Sequence, residues 1–350
     1  MPSWTLAFVV VPRVETQTSI KMGRAEYGVV QLRFPSSADQ EAFKEEFGSA
    51  FDDSWTVEGL PGVIVTVEAD DVGPAVSEAY PHAKTLVDSF SLVEPILEAD
   101  LWFAPEPVVR ILPTVLMMEP GQPAETVQYH TEGIARIRHL EKDLDIDRLN
   151  AQCLLPLLDR FATFLSDDAL GRTETATRLK RFLRWYASSR AATSMAEKFI
   201  ASWLALETLA GCEEDRGQKG PRLKSRLKKL VGLHMPAASL DSTIDRLWDL
   251  RCEIFHEAAI GRWGDDPRSM SVFAADISIT RFLALVCAEF LVHATRPSTA
   301  LFRTWATVNT YHSSIRLDFG EFPKLLHTVE FIARKVADEP TQGSASQTSP

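Results

Sequence analysis

The chain changes hydrophobic period once, and that change limits its possible folds more than any other feature. Ahead of about residue 133 the apolar residues come in short runs, Trp4–Val11, Tyr27–Phe34, Val63–Val67, Val108–Leu112 and Val115–Met118, whose length suits strands. From Ile134 onward they recur at three- and four-residue steps, the spacing that gives a helix one apolar face. Strands gathered in one part and helices in the other predict an α+β fold. The expected organisation is a mixed α/β amino-terminal domain over 1–133, an all-α domain over 134–337 and a disordered tail over 338–350. Pro120-Gly121-Gln122-Pro123 is the clearest break near the junction, and the tail DEPTQGSASQTSP is too polar to pack.

Within the first part, Ser37-Ala38-Asp39-Gln40 is a capping box opening a helix to about Phe47. Asp70 or Asp71 caps a second helix to about Ser89, with Val72, Val76, Ala79, Ala83 and Val87 as its apolar face. Gly59-Leu60-Pro61-Gly62 predicts a turn, and Leu97–Phe103 a further strand. No Gly-rich phosphate loop and no set of residues at metal-ligand spacing occurs here, so this domain is expected to be an accessory or sensing module that takes a protein partner. In the second part, helices are expected over Leu149–Leu165, Arg178–Ser189, Thr193–Gly211, Pro221–Gly232, Leu240–Gly261, Ser271–Ala294 and Pro323–Val336.

Composition narrows the class. Hydrophobic residues make up 45% and charged residues 24%, the range of soluble globular chains. The apolar stretch Phe282–Ala294 carries Glu289 and His293, and the start lacks a basic region before its apolar run. No membrane association is therefore expected, Trp4–Val11 is taken as a strand and not a signal peptide, and the expected compartment is the cytoplasm. The cysteines Cys153, Cys212, Cys252 and Cys287 lie far apart, which fits reduced intracellular usage without a disulfide framework. Neither a metal nor another cofactor is expected. With a net charge of −11, any contact with a polyanion must be made by a local basic patch.

Two features of the helical part carry chemistry. In LDSTIDRLWDLRCEIFHEAAIG (240–261) the apolar stripe Leu240, Ile244, Leu247, Trp248 and Phe255 includes Arg251, where packing alone would place an aliphatic side chain. A buried guanidinium is costly unless an anion meets it, either a carboxylate such as Glu207 or a phosphate from outside. His256 follows five residues later, about 140° around the helix at roughly 100° per residue. The two side chains can then share a ligand only if the helix ends near His256 or a second copy completes the site. The plain alternative is that Arg251 pairs with Glu207 inside the core and His256 merely ends the helix. The second feature is the run Arg216, Lys219, Arg222, Lys224, Arg226, Lys228 and Lys229, with no acid after Asp215. Leu223, Leu227 and Leu230 give it an apolar edge, so it could dock while presenting cations to an RNA backbone, or it could be a solvated face. Arg178, Lys180, Arg181, Arg184 and Arg190 repeat that signal more weakly, while Trp185, Trp203 and Trp248 are expected in the core. Cys252 and His256 at i, i+4 have a zinc spacing but lack two further ligands.

The order RLKRFLRWYASSR (178–190), FIASWLALETLAG (199–211), a basic linker, then LWDLRCEIFH (247–256) resembles the Apea-like branch of the HEPN superfamily. Its motif is Arg, four to six residues, His, and the spacing here is four. The resemblance covers about residues 145–295, and Cys252 stands where many members have Asn or another polar residue. It implies an all-α HEPN-like helical bundle and a dimer with the motif helices facing each other across a cleft. It further implies metal-independent RNA cleavage, in which the ribose 2′-OH attacks the adjacent phosphate to leave a 2′,3′-cyclic phosphate. Arg251, His256 and Glu207 are then the expected catalytic set, and host defence or toxin activity the expected setting. The competing expectation is a non-catalytic sensor that binds RNA or a nucleotide in the same cleft.

Overall fold

Strand β1 (Ser3–Pro12) is apolar from Leu6 through Val10, and all five of those side chains are buried. Such a strand needs neighbours on both edges. It pairs antiparallel with β4 (Leu60–Glu68) and with β5 (Val109–Met118), and the six-stranded sheet runs β2-β3-β4-β1-β5-β6. Strands β2 (Ile20–Met22), β3 (Ala25–Val30) and β6 (Glu125–Gln128) complete it, every pair antiparallel. The structure, a computed structural model, describes residues 1–12, 20–30, 60–93, 109–118, 125–128, 155–215, 217–232, 238–257 and 267–310. The helices expected over Ser37–Phe47 and Pro323–Val336, the strand Leu97–Phe103, the break at 120–123 and the tail lie outside the described residues.

Two strand expectations change. The predicted turn at 59–62 is instead the start of β4, where Gly62 faces Gly28 of β3 and Pro61 faces Val29. Paired glycines cost little steric strain in a ladder, so sheet context overrides their turn preference. The two runs at 108–112 and 115–118 form one strand around Pro113. Between Phe8 and Val10 the β1–β5 register shifts, since Phe8 faces Val115 and Val10 faces Ile111. Proline has no N–H for the ladder, and an irregularity at that point accommodates it. The β2–β3 hairpin, which the sequence pattern missed, turns at Gly23-Arg24, with Gly23 at φ 62°, a backbone angle open to glycine at the first loop position.

Helix α1 (Val72–Ser89) begins where Asp71 accepts a hydrogen bond from the Val72 N–H at 2.7 Å. It buries Ala75, Val76, Ala79, Ala83, Leu86 and Val87. Register places Leu6, Phe8, Tyr27, Val63 and Val65 on one sheet face, and the contact of Phe8 with Tyr80 at 6.1 Å puts α1 across it. Helix α2 (Leu155–Ser166) meets the hairpin, Ser166 Oγ accepting from the Gly23 N–H at 2.7 Å. Helix α3 (Glu174–Ala191) packs its Phe182 against Phe161 at 6.2 Å. The chain divides into compact units at Ala191–Ala192, and Pro95–Ala104 groups with the second. The expected boundary at 133/134 is thereby corrected for these two helices: their apolar faces are spent on the sheet-bearing unit.

The second unit contains α4 (Met195–Ala210), α5 (Lys219–Gly232), α6 (Ala238–Glu257), α7 (Pro267–Ala294) and α8 (Leu301–Ala306). The capping box expected at Ser194 and Glu197 is formed, with both reciprocal hydrogen bonds present. Helix α7 is the core of this unit. Its window Phe273–Ala294 is long and apolar enough to cross a bilayer, but 89% of it is buried inside the fold. Phe199 of α4 meets Phe273 at 5.6 Å, and Trp305 of α8 meets Phe290 at 5.0 Å while donating its indole N–H to the Leu209 carbonyl. The α+β class stands, with the sheet early in the chain and helices after it.

Candidate functional site

Helix α6 fixes the geometry. Among the described residues its buried side chains are Thr243, Leu247, Leu250 and Ile254, spaced four, three and four residues apart along one line, with Ile244 beside it. The stripe expected from the sequence is thus rotated by one position: Leu250 and Ile254 go inward, Phe255 is exposed, and Trp248 and Arg251 lie along the edge. Arg246 anchors the helix from the other side, its guanidinium gripping the buried carboxylate of Asp276 on α7, with one contact at 2.6 Å.

Arg251 therefore sits at the rim of the core, with 19% of its side chain exposed. Its Nη2 lies 3.5 Å from Glu207 Oε2, a long contact for a charged pair. The guanidinium lies over two rings, 4.7 Å from the centre of Phe255 and 5.4 Å from that of Trp248. Its Nε is buried and has no hydrogen-bond partner among the described residues. Aromatic faces attract a cation but do not satisfy an N–H, so the donor is left over.

Glu207 is positioned in turn. Its Oε2 accepts from the Trp203 indole N–H at 3.0 Å, one turn back along α4. Trp203 is buried and meets Trp248 edge-on at 5.9 Å. Trp248 is also backed by Gly220 of α5, where an added Cβ would come 2.4 Å from the ring. Gly220, Trp248, Trp203, Glu207 and Arg251 form one chain of contacts across α4, α5 and α6. Sequence reasoning named the carboxylate and the guanidinium but missed the glycine that seats the indole.

The described part of α6 runs to Glu257, one residue beyond His256, and the remainder of the helix expected as far as Gly261 lies outside the described residues. Its side chain lies outside the described residues. The backbone separation from Arg251 is five residues, so the two positions remain about 140° apart on the helix. Cys252 is half-buried and has a free thiol. Among the described residues no three His, Cys, Asp or Glu side chains converge in a way that could hold a metal ion.

The basic run behaves differently from its appearance. Arg226 grips Asp215 through both guanidinium nitrogens, one at 2.8 Å, and also donates to the Ala210 carbonyl at 2.8 Å. Arg222 donates to the Glu214 carbonyl at 2.9 Å and reaches Asp215 at 3.5 Å. Asp215 is fully buried, which pushes its carboxyl up. The Arg226 hydrogen bonds, the Cys212 N–H and the charge of Arg226 outweigh that and hold it below the usual range. Lys228 and Lys224 both reach Asp245 of α6, at 2.6 and 3.0 Å, and their hydrogen bonds hold that carboxyl low. Four of the seven expected RNA-contacting cations are thus engaged with protein carboxylates. Lys219 and Lys229 are exposed without an ion pair among the described residues, and Arg216 lies outside them.

The expectation that all three tryptophans are core holds for Trp203 only: Trp248 is at the rim, and Trp185 is 38% exposed. Against protein-family models, curated proteins and solved structures, the chain finds no match.

Proposed function

We propose that the protein is a metal-independent endoribonuclease of HEPN type. The reading rests chiefly on Arg251, whose charge is only loosely met by Glu207, whose buried Nε lacks a partner among the described residues, and which lies five residues ahead of a histidine near the end of the described helix. A phosphate oxygen arriving at the rim would satisfy that donor and bring the counter-charge that Glu207 supplies only at long range. In this mechanism the guanidinium holds the scissile phosphate as negative charge builds on it. The His256 imidazole, a group of the type that exchanges protons near neutral pH, takes the proton from the 2′-OH or returns one to the leaving 5′ oxygen. Glu207 positions Arg251, and the Trp203 N–H orients Glu207. Because Arg251 and His256 diverge along one helix, the reading includes a two-fold dimer in which the motif helices share a cleft. Phe255, exposed beside Arg251, offers an apolar surface for that contact.

A second reading is a non-catalytic module that binds RNA or a nucleotide. The ion pairs of α5 and the existing Arg251–Glu207 contact favour it, because they leave less free charge for a transition state. One experiment separates the two. On an RNA cleaved by the parent, Arg251→Ala and His256→Ala should each lower the rate by at least a hundredfold, on the order of the loss for a removed transition-state donor. The fold should persist by circular dichroism, and activity should survive EDTA. Retained cleavage in both folded variants removes the catalytic assignment, binding without cleavage by the parent selects the sensor, and a strictly monomeric, active parent by light scattering removes the shared cleft.

A further inference from the structure

The solvent side of α3 is set by the positions its buried stripe leaves over. Ala176, Leu179, Phe182, Leu183 and Tyr186 turn inward, so Thr177, Arg181, Arg184, Trp185 and Ser188 form one exposed line at three- and four-residue steps. Glu174 and Arg178 begin that line and pair with each other at 2.9 Å. Beyond Glu174 the line carries no acid. Arg181 and Arg184 form no ion pair among the described residues, and neither does Lys180 at its flank. Trp185, 38% exposed, stands between these guanidiniums and Ser188.

An exposed indole among guanidiniums that form no ion pair with the described residues is an unusual surface on a chain of net charge −11. No ion pair among the described residues offsets the mutual repulsion of Lys180, Arg181 and Arg184, and the largest apolar ring of the helix is wetted. The neighbouring helix registers the positive field. The half-buried imidazole of His82 on α1 is held neutral, first by burial and then by the charges of Lys180 and Arg24, so it brings no cation of its own but reports theirs. A ligand that removes all these costs at once must carry repeated negative charge and offer a flat aromatic face.

We propose that the solvent face of α3 binds single-stranded nucleic acid, with Trp185 stacking on one base while Arg181 and Arg184 hold adjacent phosphates. A duplex does not fit as well, because its bases are already stacked on each other and closed to the indole. A fully acidic protein surface would satisfy the arginines but leave Trp185 unstacked. The proposal does not depend on cleavage at Arg251, which belongs to the other compact unit.

Fluorescence anisotropy of the full-length protein with a short labelled oligouridylate tests it. The parent should bind, and Trp185→Ala should weaken binding on the order of tenfold, the loss typical of one stacked base, with Trp185→Phe recovering most of it. Arg181→Gln with Arg184→Gln should reduce the slope of log affinity against log salt by about 1.4, near 0.7 for each phosphate on a single strand. Because Arg251 is itself proposed to hold an RNA phosphate, the comparison is repeated in an Arg251→Ala background, where the loss caused by Trp185→Ala should persist at the same size, so that failure of the cleavage reading and failure of this one are distinguishable. Since these side chains are exposed, melting curves should confirm that every variant is folded. The idea is overturned if the parent does not bind, if Trp185→Ala binds as the parent does, or if an RNA duplex of equal length binds as tightly.

Discussion

Helices α3 and α5 both draw attention as basic segments of an acidic chain, yet the structure uses their cations in opposite ways. On α5, Arg222 and Arg226 turn back onto Asp215, and Lys224 and Lys228 reach across to Asp245 of α6. On α3, Arg181 and Arg184 are exposed and form no ion pair among the described residues, Arg184 acting on the buried Asp88 only as a distant charge, and they lie beside an exposed tryptophan. The segment with the denser run of charge is therefore the one whose charge is mostly spent on the fold. A run of lysines and arginines reports how many cations a helix carries, while their availability depends on acids that folding brings in. Asp245 lies 17 residues beyond Lys228.

The contrast is most exposed to failure at Asp215. Replacing it with Ala would leave Arg226, only 15% exposed, without its counter-charge, and would strip the Cys212 N–H of its acceptor. Breaking a buried pair from one side costs about 3–5 kcal/mol. Urea denaturation should show a lower midpoint with an unchanged slope. If stability falls by less than about 1 kcal/mol, a typical surface ion-pair value, then Asp215 and Arg226 are not an anchor and α5 is as free as α3.

The next effect is tied to α3 and reads out in pH. Asp88 of α1 is buried, and burial raises its carboxyl to about 6, against the opposing pull of Lys84 and a smaller one from Arg184. Because the folded value lies above the unfolded one, this group's stabilising contribution is fully present below about pH 4. It is lost as pH rises toward 6 and changes little beyond. A shift of that size corresponds to about 3 kcal/mol at 1.36 per unit. Asp88→Asn should remove that slope, so the stability difference between variant and parent should change between pH 4 and 6 and level off above. A constant difference across that window would mean that Asp88 does not titrate there. Arg184→Gln should move the window slightly upward.

Much of the fold was legible because it rests on local periodicity. The β1 and β4 runs, the Asp71 cap, the Ser194 capping box and the α6 helix all follow from residues within one or two turns of each other. The assignment of α2 and α3 to the sheet-bearing unit was not legible, since it depends on partners such as Gly23 and Ser166, 143 residues apart. At the site, the Arg251–Glu207 pairing could be anticipated as one alternative because an unpaired charge on an apolar stripe demands a partner. The inward turn of Ile254 in place of Phe255 could not, because both residues fit the same helical period and packing against neighbouring helices chooses between them. Trp185 carried a usable signal. The stripe Leu179, Phe182, Leu183 and Tyr186 already pointed away from it, and its size alone suggested burial.

The smallest effects decide whether the two helices can be made to exchange roles. Asp245 is 44% exposed and holds two lysines that are themselves about three-tenths exposed, so its ion pairs fall in the surface class. Asp245→Asn should therefore cost only about 0–1 kcal/mol of stability. It should also release Lys224 and Lys228 toward solvent and steepen the salt dependence of RNA binding by up to about 1.4 if both then meet phosphates. The double change Arg181→Gln and Arg184→Gln should leave stability within about 0.5 kcal/mol, since neither side chain has an ion pair among the described residues to lose. Measured together by urea titration and by binding at several salt concentrations, the two variants should move the slope in opposite directions. A slope unchanged by Asp245→Asn would mean that freed lysines on α5 still find no phosphate, leaving the strand-binding surface on α3.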